Sequence, residues 1–287
     1  MKLELPTDFV WSSPARFLAA RAVAGLERVD ATGRYSRLHR LEDRLVSVSV
    51  GPIDREPGHL TIAASPRLSV PALRNLVGQQ FDLATDLGPF RRLTRRDSIL
   101  GPLVRRHPGL RIPRLLDPFE GVVRAVIGQL VSVAAARTFL GRLVDRFGEA
   151  GPSGWRAFPT AEALAQAGAA GLRGIGLTNA KARAIHAAAR ADVQGDLDWP
   201  ALRADLNAAD RVLRALPGIG PWTAAYVRLR ALGDPDAFLP TDLGVVKAFA
   251  AAGGDPGAMA RWSDRWRPWR SYVVMHLWEG LSGLPDR

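Results

Sequence analysis

The chain has no cysteine, so disulfides, thiolate metal sites, cysteine-ligated iron–sulfur clusters and cysteine nucleophiles are all excluded. Long apolar runs are missing too. Arg, Asp or Gly interrupts each stretch before it could span a bilayer, so no transmembrane segment is expected. The opening Met1-Lys2-Leu3-Glu4 shows no apolar signal region, and a soluble cytoplasmic protein is the expectation. Lysine is scarce, occurring only at 2, 181 and 247, which leaves 36 of the 39 basic residues as arginine. What remains is ordinary for a globular protein. Its 287 residues are 47% hydrophobic and 23% charged, enough for one large domain or two of usual size.

The formal net charge is +11, and a basic excess of this size favours polyanionic partners. Arginine, alanine, glycine and proline together also mark a GC-rich genome, so the sign of the charge carries more information than the choice of arginine. Residues 1–114 hold 19 basic and 11 acidic groups, against 20 and 17 in residues 115–287. The run Arg91, Arg92, Arg95, Arg96, Arg105 and Arg106 is read as a solvated helical face and assigned no site.

The order of elements predicts an α+β protein. Apolar residues recur at helical spacing over 14–28 and 71–83, the second opening on Pro71. Residues 45–50 alternate as a half-buried strand, and His59–Ala63 suggests another. After Pro118 strand signals nearly vanish, and Ala/Leu-rich helical segments alternate with Gly and Pro punctuation. Prolines at 108, 113 and 118 mark the break, giving a mixed α/β domain over 1–112 and a helical domain over 113–287.

One segment carries most of the chemistry. In Leu216-Pro217-Gly218-Ile219-Gly220-Pro221-Trp222-Thr223-Ala224, a helical run from Asp210 to Ala215 enters a glycine turn and a second helix begins. Glycine permits positive φ and a close backbone approach, and the unpaired first N–H groups of a helix suit a phosphate oxygen. Gly218, Gly220 and Thr223 are the expected phosphate contacts; Pro221 has no N–H to offer. Alone, this pattern is an αα-corner, but the full string resembles the helix-hairpin-helix element of base-excision DNA glycosylases. A poorer copy, Leu172-Arg173-Gly174-Ile175-Gly176-Leu177, reads as an ordinary interhelix turn. Downstream, Phe238-Leu239-Pro240-Thr241-Asp242 leads into another helix, which Thr241 or Asp242 would cap. The resemblance makes Asp242 the catalytic carboxylate, facing the positive charge that builds on a sugar as an N-glycosidic bond breaks. It also sets Trp222 where bifunctional glycosylase/lyases carry a Schiff-base lysine, which implies a monofunctional enzyme.

Trp222 and Tyr226 lie four apart on one helix and share a face, and electron-rich rings attract a cationic alkylated purine. Trp262, Trp266 and Trp269 are expected to be mainly structural. Trp222, Tyr226, Asp242, the string Trp266-Arg267-Pro268-Trp269-Arg270-Ser271-Tyr272, His276-Leu277-Trp278, Gly121 to Val133 and Phe17 to Val23 resemble the 3-methyladenine DNA glycosylase II (AlkA) family. That resemblance covers essentially the whole chain. It implies a TATA-binding-protein-like N-terminal domain and a helical helix-hairpin-helix domain acting in base excision repair. Trp222, Tyr226 and Trp278 would line the base pocket. Gln129 and Leu130 would meet the duplex, with Leu130 wedged where the flipped base leaves; by itself, Leu130 in its apolar run would be read as core. The substrate would be double-stranded DNA with 3-methyladenine- or 7-methylguanine-type bases, handled by a monomer in the cytoplasm at the nucleoid. No cofactor is expected, although the family can hold a structural monovalent cation on hairpin carbonyls near Leu216 and Ile219. Two alternatives stand beside this reading: a non-catalytic helix-hairpin-helix DNA-binding module, and a glycosylase for neutral lesions, for which no second carboxylate is evident.

Overall fold

In the computed structural model, which describes residues 1–41, 44–54, 56 and 58–281, the amino-terminal third is built on a five-stranded antiparallel sheet. Its strands are β1 (Lys2–Glu4), β2 (Glu27–Val29), β3 (Tyr35–Leu41), β4 (Arg44–Pro52) and β5 (His59–Ser65), arranged β1-β5-β4-β3-β2. Alternation along β4 and β5 sends Val46, Val48, Val50, Leu60 and Ile62 to one buried face. Helices α1 (Ser12–Arg21) and α2 (Val70–Gln80) cover that face with Phe17, Leu18, Leu73 and Val77. The helix expected over 14–28 is shorter than its periodicity suggested. It ends at Arg21, Ala22 is extended, and Gly25 at φ 81° turns the chain into β2.

The rest of the chain is helical: α3 (Gly88–Thr94), α4 (Leu100–Arg106), α5 (Pro118–Gly128), α6 (Val133–Phe147), α7 (Ala161–Arg173), α8 (Asn179–Val193), α9 (Trp199–Ala204), α10 (Leu206–Ala215), α11 (Pro221–Val227), α12 (Leu243–Ala251), α13 (Met259–Ser263) and α14 (Arg270–Leu281). Their starts are written locally. Asp117, Ser132, Thr160, Thr178, Asp205 and Asp242 each accept a first-turn N–H at an N-cap. No described helix is long and apolar enough to cross a membrane.

Packing does not follow chain order. One hydrophobic core unites the sheet, α1–α4 and the carboxy-terminal α12–α14, so that Phe81, Phe90, Phe249, Trp266 and Tyr272 belong together. A second core joins α5–α11 with Val23 and Leu26. Tyr226 packs against both. The two halves are also joined by a buried ionic cluster. Arg124 of α5 donates to Glu27 and to Glu120, each at 2.6 Å. Arg37 of β3 bridges the same two carboxylates, and the Tyr35 hydroxyl donates to Glu27 at 2.6 Å. Burial raises the Glu27 carboxyl, but Arg124 and Arg37 outweigh it and hold the group at about 2.

His39 on β3 and His276 on α14 are buried; among the described residues His39 Nε2 and both His276 ring nitrogens lack hydrogen-bond partners. Burial holds both imidazoles at about 3, and they stay neutral in the folded protein. Because the unfolded chain takes up these protons near the ordinary histidine value, stability should be complete above about pH 6.5 and fall below it. Asp117 acts in the opposite sense, since burial and Glu120 raise its carboxyl to about 6. Two histidines outweigh one carboxyl, so urea midpoints should fall between pH 7.5 and 5. His276→Phe, which leaves one histidine against Asp117, should make that interval nearly flat.

Candidate active site

The hairpin between α10 and α11 is fixed by its own backbone. Leu216 N–H bonds to Leu213 O and Ile219 N–H to Leu216 O at 3.2 Å, while the Ile219 side chain anchors the turn in the second core. Gly218 sits at φ 79°, and a Cβ there would lie 2.7 Å from that of Ala184 on α8, so conformation and space both require glycine. Gly218 and Gly220 are exposed at the tip. Gly220 is the N-cap of α11 and brings no side-chain cap, and Pro221 has no N–H, so the first-turn N–H groups of Trp222 and Thr223 remain. The Thr223 side chain differs from its expected part as a phosphate donor. It is only 2% exposed, and its hydroxyl accepts from Gln129 Nε2 at 2.9 Å. Gln129 donates with the same amide nitrogen to Gly218 O at 3.0 Å. These two residues lock the hairpin to the loop between α5 and α6.

That loop presents Leu130. The bland reading of this residue as core does not hold: it is 98% exposed, at φ 55° in the left-handed region. Ser132 then caps α6, and Val131 and Val133 are exposed beside it. An apolar tip thus stands next to a glycine hairpin.

Asp242 is the cap, not Thr241. Its Oδ1 accepts from Val245 N at 2.9 Å and from Trp278 Nε1 at 2.9 Å, and its Oδ2 accepts from Trp222 Nε1 at 3.0 Å. Three elements therefore converge on one carboxylate, with α11 and α14 each contributing an indole. Gly244 makes room for this, since a Cβ there would stand 3.3 Å from Trp278 Cδ1. The rings form a continuous array. Trp222 stacks on Tyr226 at 5.5 Å, Tyr226 lies 6.3 Å from Trp278, and Trp278 stacks on Phe17 at 6.3 Å. Phe17 belongs to α1 in the amino-terminal domain, and Arg230 donates to the Tyr226 hydroxyl at 3.2 Å. Nothing in the residues around Phe17 or Arg230 marks either as part of this array. Trp266 is buried and donates to Asp97 at 2.9 Å, and Trp262 and Trp269 pack on the first core, in structural positions as expected. The Leu172–Leu177 segment joins α7 to α8, as an interhelix turn should.

A glycine hairpin, an exposed leucine and a carboxylate held by aromatic N–H groups make up the candidate site. Residues 1–117 match the AlkA N-terminal domain, and residues 123–269 match the HhH-GPD superfamily base excision DNA repair protein family. The chain belongs to the HhH-GPD superfamily. The DNA-3-methyladenine glycosylase 2 of Escherichia coli is 34% identical over 279 residues, covering 96% of this chain and 95% of the relative. The solved 3-methyladenine DNA-glycosylase of Archaeoglobus fulgidus superposes with a TM-score of 0.82 at 25% identity, over 99% of this chain and all of the other. A Clostridium acetobutylicum 8-oxoguanine glycosylase/lyase, solved with double-stranded DNA, shares the fold at a TM-score of 0.77 and 18% identity, over 98% and 93% of the two chains. This HhH-GPD chain is thus a DNA glycosylase of α+β architecture, with a small five-stranded sheet domain ahead of the helical one.

Trp278→Phe separates two functions of one side chain. The ring remains for the aromatic array, but Asp242 loses one of its three N–H donors. A hydrogen bond to a charged group contributes on the order of 1.5–3 kcal/mol, so single-turnover base release should slow by at least about tenfold. Far-UV circular dichroism should stay close to wild type, and an unchanged rate would show that Trp222 and Val245 suffice to hold the carboxylate.

Proposed function

We propose that this protein is a monofunctional glycosylase that hydrolyses the N-glycosidic bond of alkylated bases, of the 3-methyladenine and 7-methylguanine type, flipped from duplex DNA. The observation that carries this reading is Asp242, held by Trp222, Trp278 and Val245 at the edge of an aromatic array. A cationic purine stacks favourably on such rings and departs as a neutral molecule, so the bond breaks without an acid. The sugar is left oxocarbenium-like, and a pre-oriented carboxylate stabilises it until water adds at C1′. Gly218, Gly220 and the α11 N–H groups would take the phosphate backbone, with Gln129 keeping the hairpin in register. Leu130 would fill the stack that the base vacates.

A non-catalytic binding module needs no carboxylate between two indoles. The relatives named as 3-methyladenine glycosylases in E. coli and A. fulgidus support the alkylated-base reading. Action as a monomer belongs to the same reading. Lyase chemistry through the hairpin lacks an amine. Position 222 is tryptophan, Lys2 pairs with Glu56, Lys181 donates to Ile127 O at 2.8 Å, and Lys247 is on α12. The hairpin carbonyls suit a structural monovalent cation. Leu216 O uses one lone pair on Ile219 N–H, and among the described residues no cluster of acidic or imidazole ligands adjoins to favour a divalent ion. Such an ion would strengthen the hairpin's attraction for phosphate and takes no part in bond breaking.

Base release from methylated DNA, followed by mass spectrometry, tests this function. Wild type should free 3-methyladenine and 7-methylguanine, whereas Asp242→Asn should be slower by on the order of a hundredfold or more. Asn retains the cap on Val245, but its amide nitrogen must face an indole N–H. A stability loss of about 1 kcal/mol is therefore expected, too small to explain the kinetic loss. Near-normal release by folded Asp242→Asn would reduce the carboxylate to a helix cap.

Monofunctionality is tested separately. The product strand should be intact and abasic, and borohydride should trap no covalent protein–DNA adduct. Efficient trapping would reveal an amine nucleophile and overturn that part of the reading.

A further inference from the structure

Two guanidinium groups lie against the Phe17 ring in the aromatic array. Arg21 Cζ stands 3.8 Å from the ring centroid and Arg230 Cζ 4.7 Å from it. Arg230 is buried and bonded, donating to Pro113 O at 2.7 Å and to the Tyr226 hydroxyl. Arg21 is held much more loosely. Among the described residues its side chain hydrogen-bonds to the Phe17 carbonyl, at 3.3 Å, and its guanidinium also lies 6.0 Å from the Trp278 ring centroid. Glu279, the carboxylate nearby on α14, is paired with Arg16 instead. Burial draws Arg21 down to about 10, with Tyr226 and Asp242 acting against that and Arg230 reinforcing it, so the side chain is a cation at neutral pH.

A cation on the Phe17–Trp278 side of the array has opposite consequences for the two kinds of base that could enter. A cationic base meets like charge, and when its bond breaks both electrons stay on the base and neutralise it. It therefore gains nothing from a guanidinium. A neutral purine departs as an anion, with the bonding pair on N9 and charge spread to its ring nitrogens and exocyclic oxygen. That anion needs a donor or a positive charge, and among the described residues no second carboxyl stands in the array to supply a proton. Arg21 can supply both N–H and charge. Water then adds at C1′, and its proton ends on the departed base.

We propose that Arg21 is a specificity-determining residue of this site: from its place on the Phe17 and Trp278 rings, its guanidinium stabilises the departing anion of neutral purines and disfavours cationic ones. This inference rests on the glycosylase reading above. Its position at the last residue of α1, where among the described residues the Phe17 carbonyl is its acceptor, lets the side chain move aside for an incoming base and turn to its edge.

Single-turnover excision from duplexes containing one hypoxanthine or one 7-methylguanine tests it in wild type, Arg21→Ala, Arg21→Gln and Arg21→Lys. Arg21→Ala should slow hypoxanthine release by about tenfold or more, the scale of removing one electrostatic group. Release of 7-methylguanine should hold or rise, so the ratio of the two rates shifts at least tenfold toward the cationic base. Arg21→Gln should shift it in the same direction, and Arg21→Lys should restore most of the wild-type ratio because the charge returns. A rate ratio measured on one preparation is independent of the fraction folded. Equal loss on both bases, or an unchanged ratio in Ala and Gln, would overturn the proposal and leave Arg21 as packing. Wild-type failure to release either base would overturn the glycosylase reading itself.

Discussion

The capture of Asp242 by three N–H groups determines how the active half of the molecule is put together. Val245 is on the helix that Asp242 starts, Trp222 on the helix that leaves the hairpin, and Trp278 near the end of the chain. Those hydrogen bonds set α11, α12 and α14 at fixed angles around a single side chain. The same indoles that orient the carboxylate are members of the ring array, so the place where a base would stack and the group that would stabilise its sugar cannot move independently. Preorganisation of this kind is what electrostatic catalysis requires, because the donors are already paid for by folding when charge develops.

A second constraint brings the amino-terminal domain into the site. Arg37 and Arg124, with Glu27 and Glu120, form an ionic cluster in which each carboxylate meets both guanidiniums, and Arg124 and Glu120 belong to α5. The sheet is thereby fastened to the helix whose far end carries Gln129 and Leu130. Helix α1, packed on the same sheet, brings Phe17 and Arg21 to Trp278. Removing one member of such a cluster leaves an uncompensated buried charge, which is why the sheet domain and the wedge loop should respond together to change. The small domain is part of the wall of the site.

Local chemistry was readable from the sequence, and long-range juxtaposition was not. The glycine hairpin, a cap at Thr241 or Asp242, the shared face of Trp222 and Tyr226 and the strands around 45–50 and 59–63 all follow from spacing within a dozen residues. Strand β3 was missed because Arg37 and His39 occupy inward positions where the pattern calls for apolar residues; the ionic cluster makes Arg37 acceptable there, and His39 is buried in its neutral form. Phe17 stands 261 residues from Trp278, on which it stacks, so no window could connect them. Leu130 looked like core because its neighbours Val126 and Ile127 are buried, and the sign of its φ, which a sequence does not display, turns it outward. Thr223 has the right residue type for a phosphate donor, but Gln129, ninety-four positions away, takes its hydroxyl into the interior.

The contact between Gly218 and Ala184 has a consequence for how this protein can change. Gly218 is constrained twice, by its left-handed backbone and by an alanine methyl that a new Cβ would meet at 2.7 Å. Ala184→Gly would open the space yet leave the backbone constraint intact, so it cannot rescue a side chain at 218. In the other direction, any residue larger than alanine at 184 pushes directly on the hairpin tip. The dependence between the two positions is one-sided. A lineage carrying this hairpin can lose volume at 184 at little cost, but no sequence of single steps through 184 opens a path away from glycine at 218.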